Sequence, residues 1–594
     1  QGFPMPRDAS GRAPSKTGAA ATDGAVLVFL PGVGEVMRCC RELEQWLNSD
    51  EQLGGMEGGP VGSTQILPLH GSLNGGDQRR VFRAPPRGTR KIVVATNIAE
   101  TSITIPDVTV VIDCGRVKQT GFDAAKNMSS LTVQWCAQDA CRQRRGRAGR
   151  VREGLCLRLF SKRKWKSMEK NTTPEMLRTP LESLVLQLRV MGYTPAYQFL
   201  QKTLDPPAST AIEAAERRLA RLGALEQRGA DNRGQKMHEL SFHALSGLSL
   251  TPLGRHLAQI PADVAISKML IYGALLGCID PILTVAAALT MRSPFQTGPD
   301  GMTDEQRRAF SAMGGGCSDH LAVVCAHLEY MKEVAKRGRG AARGWCMDRG
   351  INANRMEDVN ETRRQFRESL QSIGFLPRRR EAAEELGAGF GYGTNQVFRA
   401  AVLAGLYPNV MRVVKSPQKY METLGGAVEK LRQAKEMQFF VNSEAGPIAR
   451  SADDGSNGGG SEDWDVYDIV KQLERVKIHP GSVLFHEREW SSQWVMYHEL
   501  AKTSQTFMRD GTLVKPFSLL LFGGDLEVQP LNNTITVDGW IRVEASPRVG
   551  ALVKELRRRM DEVLERKLQD TSFDVASSPV MQGVIRLLDS DGVF

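Results

Sequence analysis

Val94-Ala95-Thr96-Asn97-Ile98-Ala99-Glu100-Thr101-Ser102-Ile103-Thr104-Ile105-Pro106-Asp107 decides how this chain is read. The apolar run at 92–95 reads as a strand, and it opens directly onto small hydroxyl and amide side chains. In parallel α/β sheets, ligands bind in the loops at the carboxyl ends of strands. A second stretch, Gln143-Arg144-Arg145-Gly146-Arg147-Ala148-Gly149-Arg150, gathers arginines and glycines. Arginine offers phosphate a planar, bidentate fork that keeps its charge, and glycine lets a ligand or a backbone come close. On a helix, positions 143, 147 and 150 share one face. One amide and two guanidiniums pointing the same way would suit a bound triphosphate with an attacking water. Taken alone, the arginine cluster equally suits a basic surface patch or a nuclear-import signal.

Working outward, 594 residues leave room for roughly three to five domains. The balance of 77 Lys+Arg against 67 Asp+Glu, net +10, favours polyanionic partners, nucleic acid first. The ten cysteines contain no CxxC. Cys317, His320, Cys325 and His327 lie close together but not at a zinc spacing, so the cysteines read as reduced intracellular thiols. Nucleus and cytoplasm are both open. Residues 1–22 are rich in Gly, Ala, Ser and Pro without an apolar core; they read as a disordered segment, not a signal peptide. The chain does not begin with Met, which points to a fragment. Residues 269–291 are nearly all apolar, but Asp280-Pro281 divides them into halves too short to span a membrane. They read as two core helices.

Taken in order, Val26-Leu27-Val28-Phe29-Leu30 is a strand buried on both faces, ended by Pro31-Gly32. A helix, a strand at 66–69, a short helix at 78–82 and strands at 91–95 and 108–113 follow. This alternation argues a parallel α/β domain. Residues 115–131 are polar and suit a surface hairpin, and 156–160 reads as the last strand. From 173 the pattern turns helical, with Gly223 at a C-cap position and Thr251-Pro252 as a helix start. Residues 300–316 and 336–343 are expected to be loops, at least in part; the basic run Lys336-Arg337-Gly338-Arg339-Gly340 suits either an RNA contact or a solvated loop. Strand-type runs return at 476–484 and 494–500. From 548 an amphipathic helix carries Val549, Leu552, Val553, Leu556, Met560, Val563, Leu564 and Leu568 on one face and Lys554, Arg557, Arg558, Glu562 and Arg566 on the other.

The two opening stretches resemble motifs V and VI of the DEAH/RHA family of superfamily 2 RNA helicases. Val28-Phe29-Leu30-Pro31-Gly32 resembles motif IV, and Leu69-His70-Gly71-Ser72 with Gln78-Arg79-Arg80-Val81-Phe82 resembles the family's next motif. The resemblance implies a multidomain chain of α/β, α and β parts. A disordered segment at 1–22 precedes a RecA-like parallel α/β lobe at 23–165. A winged helix at 166–249 follows, with an elaborated wing at 229–247. A helical ratchet bundle occupies 250–392, with an insert at 382–393, and an OB-like barrel occupies 393–547, with a flexible insert at 446–463. A C-terminal helix and tail fill 548–594.

By the same resemblance, Gln143 positions the hydrolytic water, and Arg147 and Arg150 act as arginine fingers. Phe82 stacks on adenine, although the residue alone reads as well as a core phenylalanine. Thr104 lies near the ribose; the family often has an acid where this chain has Pro106, and Asp107 follows it. Gly32, Ser72, Thr96 and Asn97 contact the RNA backbone, as do Arg116 and Lys126 of the hairpin. Such contacts carry no sequence information. The implied cofactor is ATP with Mg2+, and the implied partners are mainly single-stranded RNA and a protein activator on the winged-helix or OB-like surface. No membrane is expected. No G-x-x-x-x-G-K-[ST] loop and no Asp-Glu-x-His segment occur in the 594 residues; in this family both belong to the first ATPase lobe, which would also hold the metal. Two readings follow: the C-terminal portion of an ATP-dependent RNA helicase, inactive in isolation, or an ATPase-inactive RNA-binding or scaffold module.

Overall fold

The computed structural model describes residues 24–52, 63–71, 73, 75–86, 88–101, 104–148, 153–226, 245, 247–291, 293–295, 302–377, 396–414, 420–423, 426–429, 437–442, 473–487, 490–503, 505–575 and 577–590. The segment at 1–22, Ser72, Arg150, most of the wing at 229–247 and the inserts at 382–393 and 446–463 lie outside them. The chain divides into two compact units: up to 121 with 131–175, and 122–130 with 176 onward.

The first unit alternates strand and helix: β1 (Ala25–Phe29), α1 (Val33–Gln52), β2 (Thr64–Leu69), α2 (Gly75–Phe82), β3 (Arg90–Ala95), α3 (Ile98–Thr101) and β4 (Val108–Asp113). A hairpin follows, β5 (Arg116–Asp123) and β6 (Met128–Trp135), then α4 (Gln138–Arg145), β7 (Leu155–Arg158) and α5 (Lys162–Ser167). Five strands form one parallel sheet in the order β2-β3-β1-β4-β7. Leu27, Phe29, Leu69, Val93, Ala95 and Val111 fill its core. The register sets Phe29 beside both Ala95 and Asp113, and Leu69 beside Ala95. The carboxyl ends of β1 to β4 therefore line one edge.

The second unit opens with α6 (Glu182–Val190), α7 (Ala196–Leu200), α8 (Ser209–Arg221) and a short antiparallel pair, β8 (Leu225–Glu226) and β9 (Ser249–Leu250). Gly223 has φ +79, and the next amide, Ala224 N, donates to Leu219 O at 2.8 Å. This helix end requires the left-handed residue the sequence supplied. Helices follow: α9 (Pro252–Leu257), α10 (Val264–Leu275), α11 (Ile279–Thr290), α12 (Asp304–Met313), α13 (Asp319–Asp348), α14 (Ala353–Ser372) and α15 (Gln396–Leu406). The apolar stretch at 269–291 is indeed broken, and Pro281 falls in the first turn of α11, where proline is tolerated.

The loop expectations fail over 304–313 and 336–343, while 302–303 and 314–316 do stay outside any helix. Residues 304–313 are helical because Thr303 and Gln306 form a reciprocal capping box that starts α12. Residues 336–343 lie inside α13, whose path breaks only at Gly338, φ +78.

Beyond α15 a barrel closes: β10 (Val410–Val414) pairs with β13 (Gln438–Val441), β13 with β14 (Glu474–Ile478), β14 with β16 (Thr506–Val514), β16 with β15 (Trp494–Lys502), and β15 returns to β10. A separate hairpin, β11 (Tyr420–Thr423) and β12 (Gly426–Glu429), sits between β10 and β13 in sequence. The run at 476–484 is only partly strand, because His479-Pro480-Gly481 turns it into a short 3-10 helix at Val483–Phe485. Then come α16 (Pro516–Phe522), the sheet β17 (Leu526–Gln529), β18 (Thr534–Val537) and β19 (Ile541–Glu544), and helices α17 (Pro547–Gln569) and α18 (Pro579–Asp589). On α17, Val553, Met560, Val563 and Leu568 are buried, whereas Leu552 is exposed. Arg557 does not face solvent as the pattern suggested. Its guanidinium donates to the Leu521, Gly523 and Gly524 carbonyls at the end of α16, satisfying a helix C-terminus that has few partners of its own.

Candidate nucleotide and nucleic-acid site

The first unit groups the candidate residues by strand polarity. At the carboxyl edge, Thr96 N donates to Leu69 O at 3.1 Å and Leu30 N to Ala95 O at 2.8 Å, which fixes the loops after β1, β2 and β3 side by side. Thr96 is buried and Asn97 exposed there. Gly32 is packed closely: a β-carbon on it would come within 2.5 Å of Lys118 Nζ and 2.7 Å of the Glu35 carboxylate. Those two groups pair at 3.0 Å, and the Gly32 carbonyl accepts Val36 N at 3.0 Å to start α1.

A second group surrounds Lys91, roughly 17 Å along β3 from Thr96 at the usual rise per residue. The Lys91 ammonium is fully buried. It donates to Val81 O at 2.8 Å and Arg83 O at 3.1 Å, the carbonyls on either side of Phe82. It also makes an ion contact with Asp107 Oδ2 at 2.8 Å, off the hydrogen-bond axis. Phe82 is 40% exposed, so it is not a core residue. Thr104 is exposed in the loop leading to β4. The structure thus ties Phe82 and Asp107 together through a lysine that the sequence reading passed over.

The arginine stretch does not continue as one helix. α4 ends at Arg145; Gly146 caps it, and Arg147 N and Ala148 N bond back to Arg144 O and Arg145 O in a tighter turn. Gly146 and Gly149 give the helix little reason to continue. Gln143 is consequently exposed while Arg147 is buried, so these two do not share the common face expected of them; Arg150 lies outside the described residues. Arg147 donates to the Glu100 carbonyl.

A second missed residue is Arg144, 1% exposed. Its Nε donates to Glu100 Oε2 and its Nη1 to Asp113 Oδ1, both at 2.9 Å, and Nη1 also reaches Arg116 O at 3.3 Å. The guanidinium lies 5.0 Å over the Phe29 ring. Burial pushes the Glu100 carboxyl upward against the pull of Arg144. Glu100 therefore holds one arginine on its side chain and another on its carbonyl, while its own amide donates to Asn97 O at 2.9 Å. A sequence signal existed: Glu100 and Asp113 sit beside apolar runs, and buried carboxylates need partners.

On the hairpin, Arg116 stacks 4.4 Å over the Trp135 ring. Lys126 pairs with Glu474 of β14 at 2.9 Å; both belong to the second unit, as does the pairing of Ser129 and Ser130 with Ala501 and Lys502 of β15. Cys317, His320, Cys325 and His327 do not converge. His320 bonds Thr512 Oγ1 at 2.7 Å, and His327 bonds Asn360 Oδ1 at 2.6 Å.

A parallel five-stranded lobe bearing this motif set, followed along the chain by a helical region and a closed five-strand barrel, defines a helicase C-terminal lobe with its associated domains. Family descriptions match accordingly: helicase conserved C-terminal domain at 19–152, helicase-associated winged helix at 215–262, helicase-associated ratchet-like domain at 263–339, OB-fold at 398–526 and the C-terminal domain in RNA helicases at 533–590. The chain belongs to the DEAH/RHA family of RNA helicases and carries the domain set of its C-terminal half. It is 32% identical over 573 residues to the human ATP-dependent RNA helicase DHX29, covering 96% of this chain and 37% of that protein. Human ATP-dependent DNA/RNA helicase DHX36 is 33% identical over 553 residues, 92% of this chain and 47% of its own. The DExH-box ATP-dependent RNA helicase DExH1 of Arabidopsis thaliana is 34% identical over 572 residues, 96% and 49%. The chain thus spans less than half the length of each of these relatives.

Proposed function

We propose that this chain supplies the second ATPase lobe and the RNA-handling domains of an ATP-dependent RNA helicase. ATP would bind between this lobe and a first lobe bringing the phosphate loop and Mg2+. In that reading Gln143 positions the attacking water, and Arg147 and Arg150 stabilise charge growing on the γ-phosphoryl oxygens, worth on the order of 10³–10⁵ in rate for such arginines. Phe82 offers an exposed ring to adenine, with Thr104 and Asp107 toward the ribose. Closure and reopening of the lobes step mainly single-stranded RNA along its backbone, through Gly32, Ser72, Thr96, Asn97, Arg116 and Lys126.

One observation carries this reading. Arg147 bonds the Glu100 carbonyl, and the Glu100 amide bonds the Asn97 carbonyl. A pull on the finger is thereby passed to the loop assigned to RNA through one residue. Two further features support the partners and the compartment. Val190, Met191, Tyr193, Phe199 and Leu204 are exposed apolar side chains in the winged-helix region, with Tyr193 and Phe199 in ring contact at 4.5 Å, which suits a protein activator. All ten cysteines are free thiols, which suits nucleus or cytoplasm. Among the described residues no helix is long and apolar enough to cross a membrane.

Residues 1–594 alone are expected to show no RNA-stimulated ATP turnover, and the same chain joined to a first lobe is expected to show it. Arg147→Ala in the joined protein should lower kcat by on the order of 10³. Turnover by 1–594 alone overturns the split site. RNA binding by the joined protein without turnover, unchanged by Arg147→Ala, favours the ATPase-inactive RNA-binding or scaffold reading.

A further inference from the structure

Helix α13 breaks at Gly338, whose φ of +78 and ψ of 170 leave the helical region before a second helical stretch runs on to Asp348. The chain at the break is Lys336-Arg337-Gly338-Arg339-Gly340, and Arg343 and Gly344 follow one turn later. One side of this corner is anchored, since Tyr330, Ala342 and Cys346 are buried with Phe310 and Met356. The other side is solvent: the Arg337 and Arg339 side chains are 71% and 76% exposed.

The corner's cations are poorly neutralised. Arg337 and Arg339 approach Glu333 and Glu357 only to 3.7 Å, beyond hydrogen-bond length. Glu357 already accepts the Tyr330 hydroxyl at 2.9 Å. Among the described residues, Lys332, Lys336 and Arg343 have no carboxylate within 4.0 Å, and Arg349 is held over the Trp345 ring at 4.7 Å.

The glycines supply a second, independent observation. Gly338 is required by its φ, but a β-carbon on Gly340 or Gly344 would meet nothing within 4 Å. Packing does not demand glycine at either position, and a helix interior disfavours it. Two bare backbone positions beside exposed guanidiniums that are paired only loosely or not at all fit a ligand that approaches the backbone closely and carries repeated negative charge.

We propose that this corner of α13 is a binding site for the RNA phosphodiester backbone, with Arg337, Arg339 and Arg343 as its forks. The inference rests on the RNA-binding reading above. Arginine matches phosphate bidentately, and the site reads phosphate rather than base, so it adds grip without sequence preference.

The test uses the 594-residue chain and a fluorescein-labelled 20-nucleotide oligouridine, with Kd measured across salt concentrations for wild type and for R337Q/R339Q/R343Q. Each single-strand phosphate contact contributes roughly 0.7 to the salt slope, so the triple variant should lose about 2 from the slope and bind at least about tenfold more weakly at low salt. The exposed side chains leave folding intact, checked by equal thermal melts. Gly340→Ala with Gly344→Ala, which favours the helix, should also weaken binding without lowering the melt. Unchanged slope and affinity in both variants overturn the corner while wild-type binding preserves the RNA reading. No RNA binding by wild type overturns both. An unchanged RNA slope with loss of binding to polyglutamate overturns the corner as an RNA site in favour of an acidic protein.

Discussion

Two adjacent arginines in the same motif meet opposite fates. Arg144 is sealed between Glu100, Asp113 and the Phe29 ring, while Arg145 is exposed. Removing one partner of a buried ion pair leaves an uncompensated charge and costs about 3–5 kcal/mol, whereas an exposed arginine contributes within about 0.5. Arg144→Met should therefore lower the stability of the first unit by about 3–5 kcal/mol in urea melts, and Arg145→Ala should barely move it; equal effects would show that Arg144 is not the joint described. The sequence displayed both arginines and hid the difference, because burial is decided by Glu100 and Asp113, which only the folded sheet brings to α4. Lys91 escaped notice for the same reason. Besides Asp107, its partners are two backbone carbonyls, which have no letter in a sequence.

His327 is a residue whose protonation is set by what surrounds it. Nε2 lies 2.6 Å from Asn360 Oδ1, and the Arg363 guanidinium lies 3.2 Å from Nδ1 and 3.1 Å from Nε2. The Asn360 carbonyl favours a proton on Nε2, and a second proton on the ring would face the Arg363 cation. Burial, then Arg363, push its pKa from 6.5 down to about 4. The unfolded histidine protonates below about 6.5 and the folded one only below about 4, so unfolding takes up a proton across that window and stability falls as pH drops. His327 should contribute about 2 kcal/mol to the stability lost between pH 7 and pH 5. Subtracting the same curve for His327→Gln, which keeps a donor toward Asn360, isolates that share; identical pH slopes would refute it.

At the scale of elements, the second unit is joined by contacts far apart in sequence. Asp319, at the start of α13, accepts Ser482 Oγ at 2.6 Å, Val483 N at 2.6 Å and Gly511 N at 2.8 Å. Ser318 and His320 both bond the Thr512 hydroxyl at 2.7 Å. Burial, then Asp510, push the Asp319 carboxyl up to about 7 against the three donors that favour its charge. Asp319→Ala would leave two buried amides and a hydroxyl without acceptors, each costing about 1–3 kcal/mol. A loss of at least about 3 kcal/mol is expected by chemical denaturation; a loss below about 1 would mean water takes over the role. The helices themselves were legible in part. Gly223, Thr251-Pro252 and Asp280-Pro281 announced their ends through local backbone chemistry. The glycine runs around α12 and in α13 were misleading, because a capping box at Thr303 and long-range packing outweighed low local propensity.

At the scale of the molecule, the parallel lobe was legible in motif chemistry and strand patterning, whereas the barrel was legible only through the family resemblance, since two strand-type runs do not close a sheet. Residues 122–130 belong to the second unit. The cores are separate: Leu27, Phe29, Val93 and Val111 in one, Leu270, Ile282, Val402 and Val537 in another. Substitutions with no shared partners act additively, and local opening follows cooperative units. Peptide-resolved hydrogen exchange should therefore separate the two joints. Arg144→Met should speed exchange in β1, β3 and β4 and leave α13 and β16 as in wild type, and Asp319→Ala should do the reverse. Acceleration of both sets by either substitution would mean that the chain opens as one cooperative unit, and the parallel lobe and the barrel would then share a single stability.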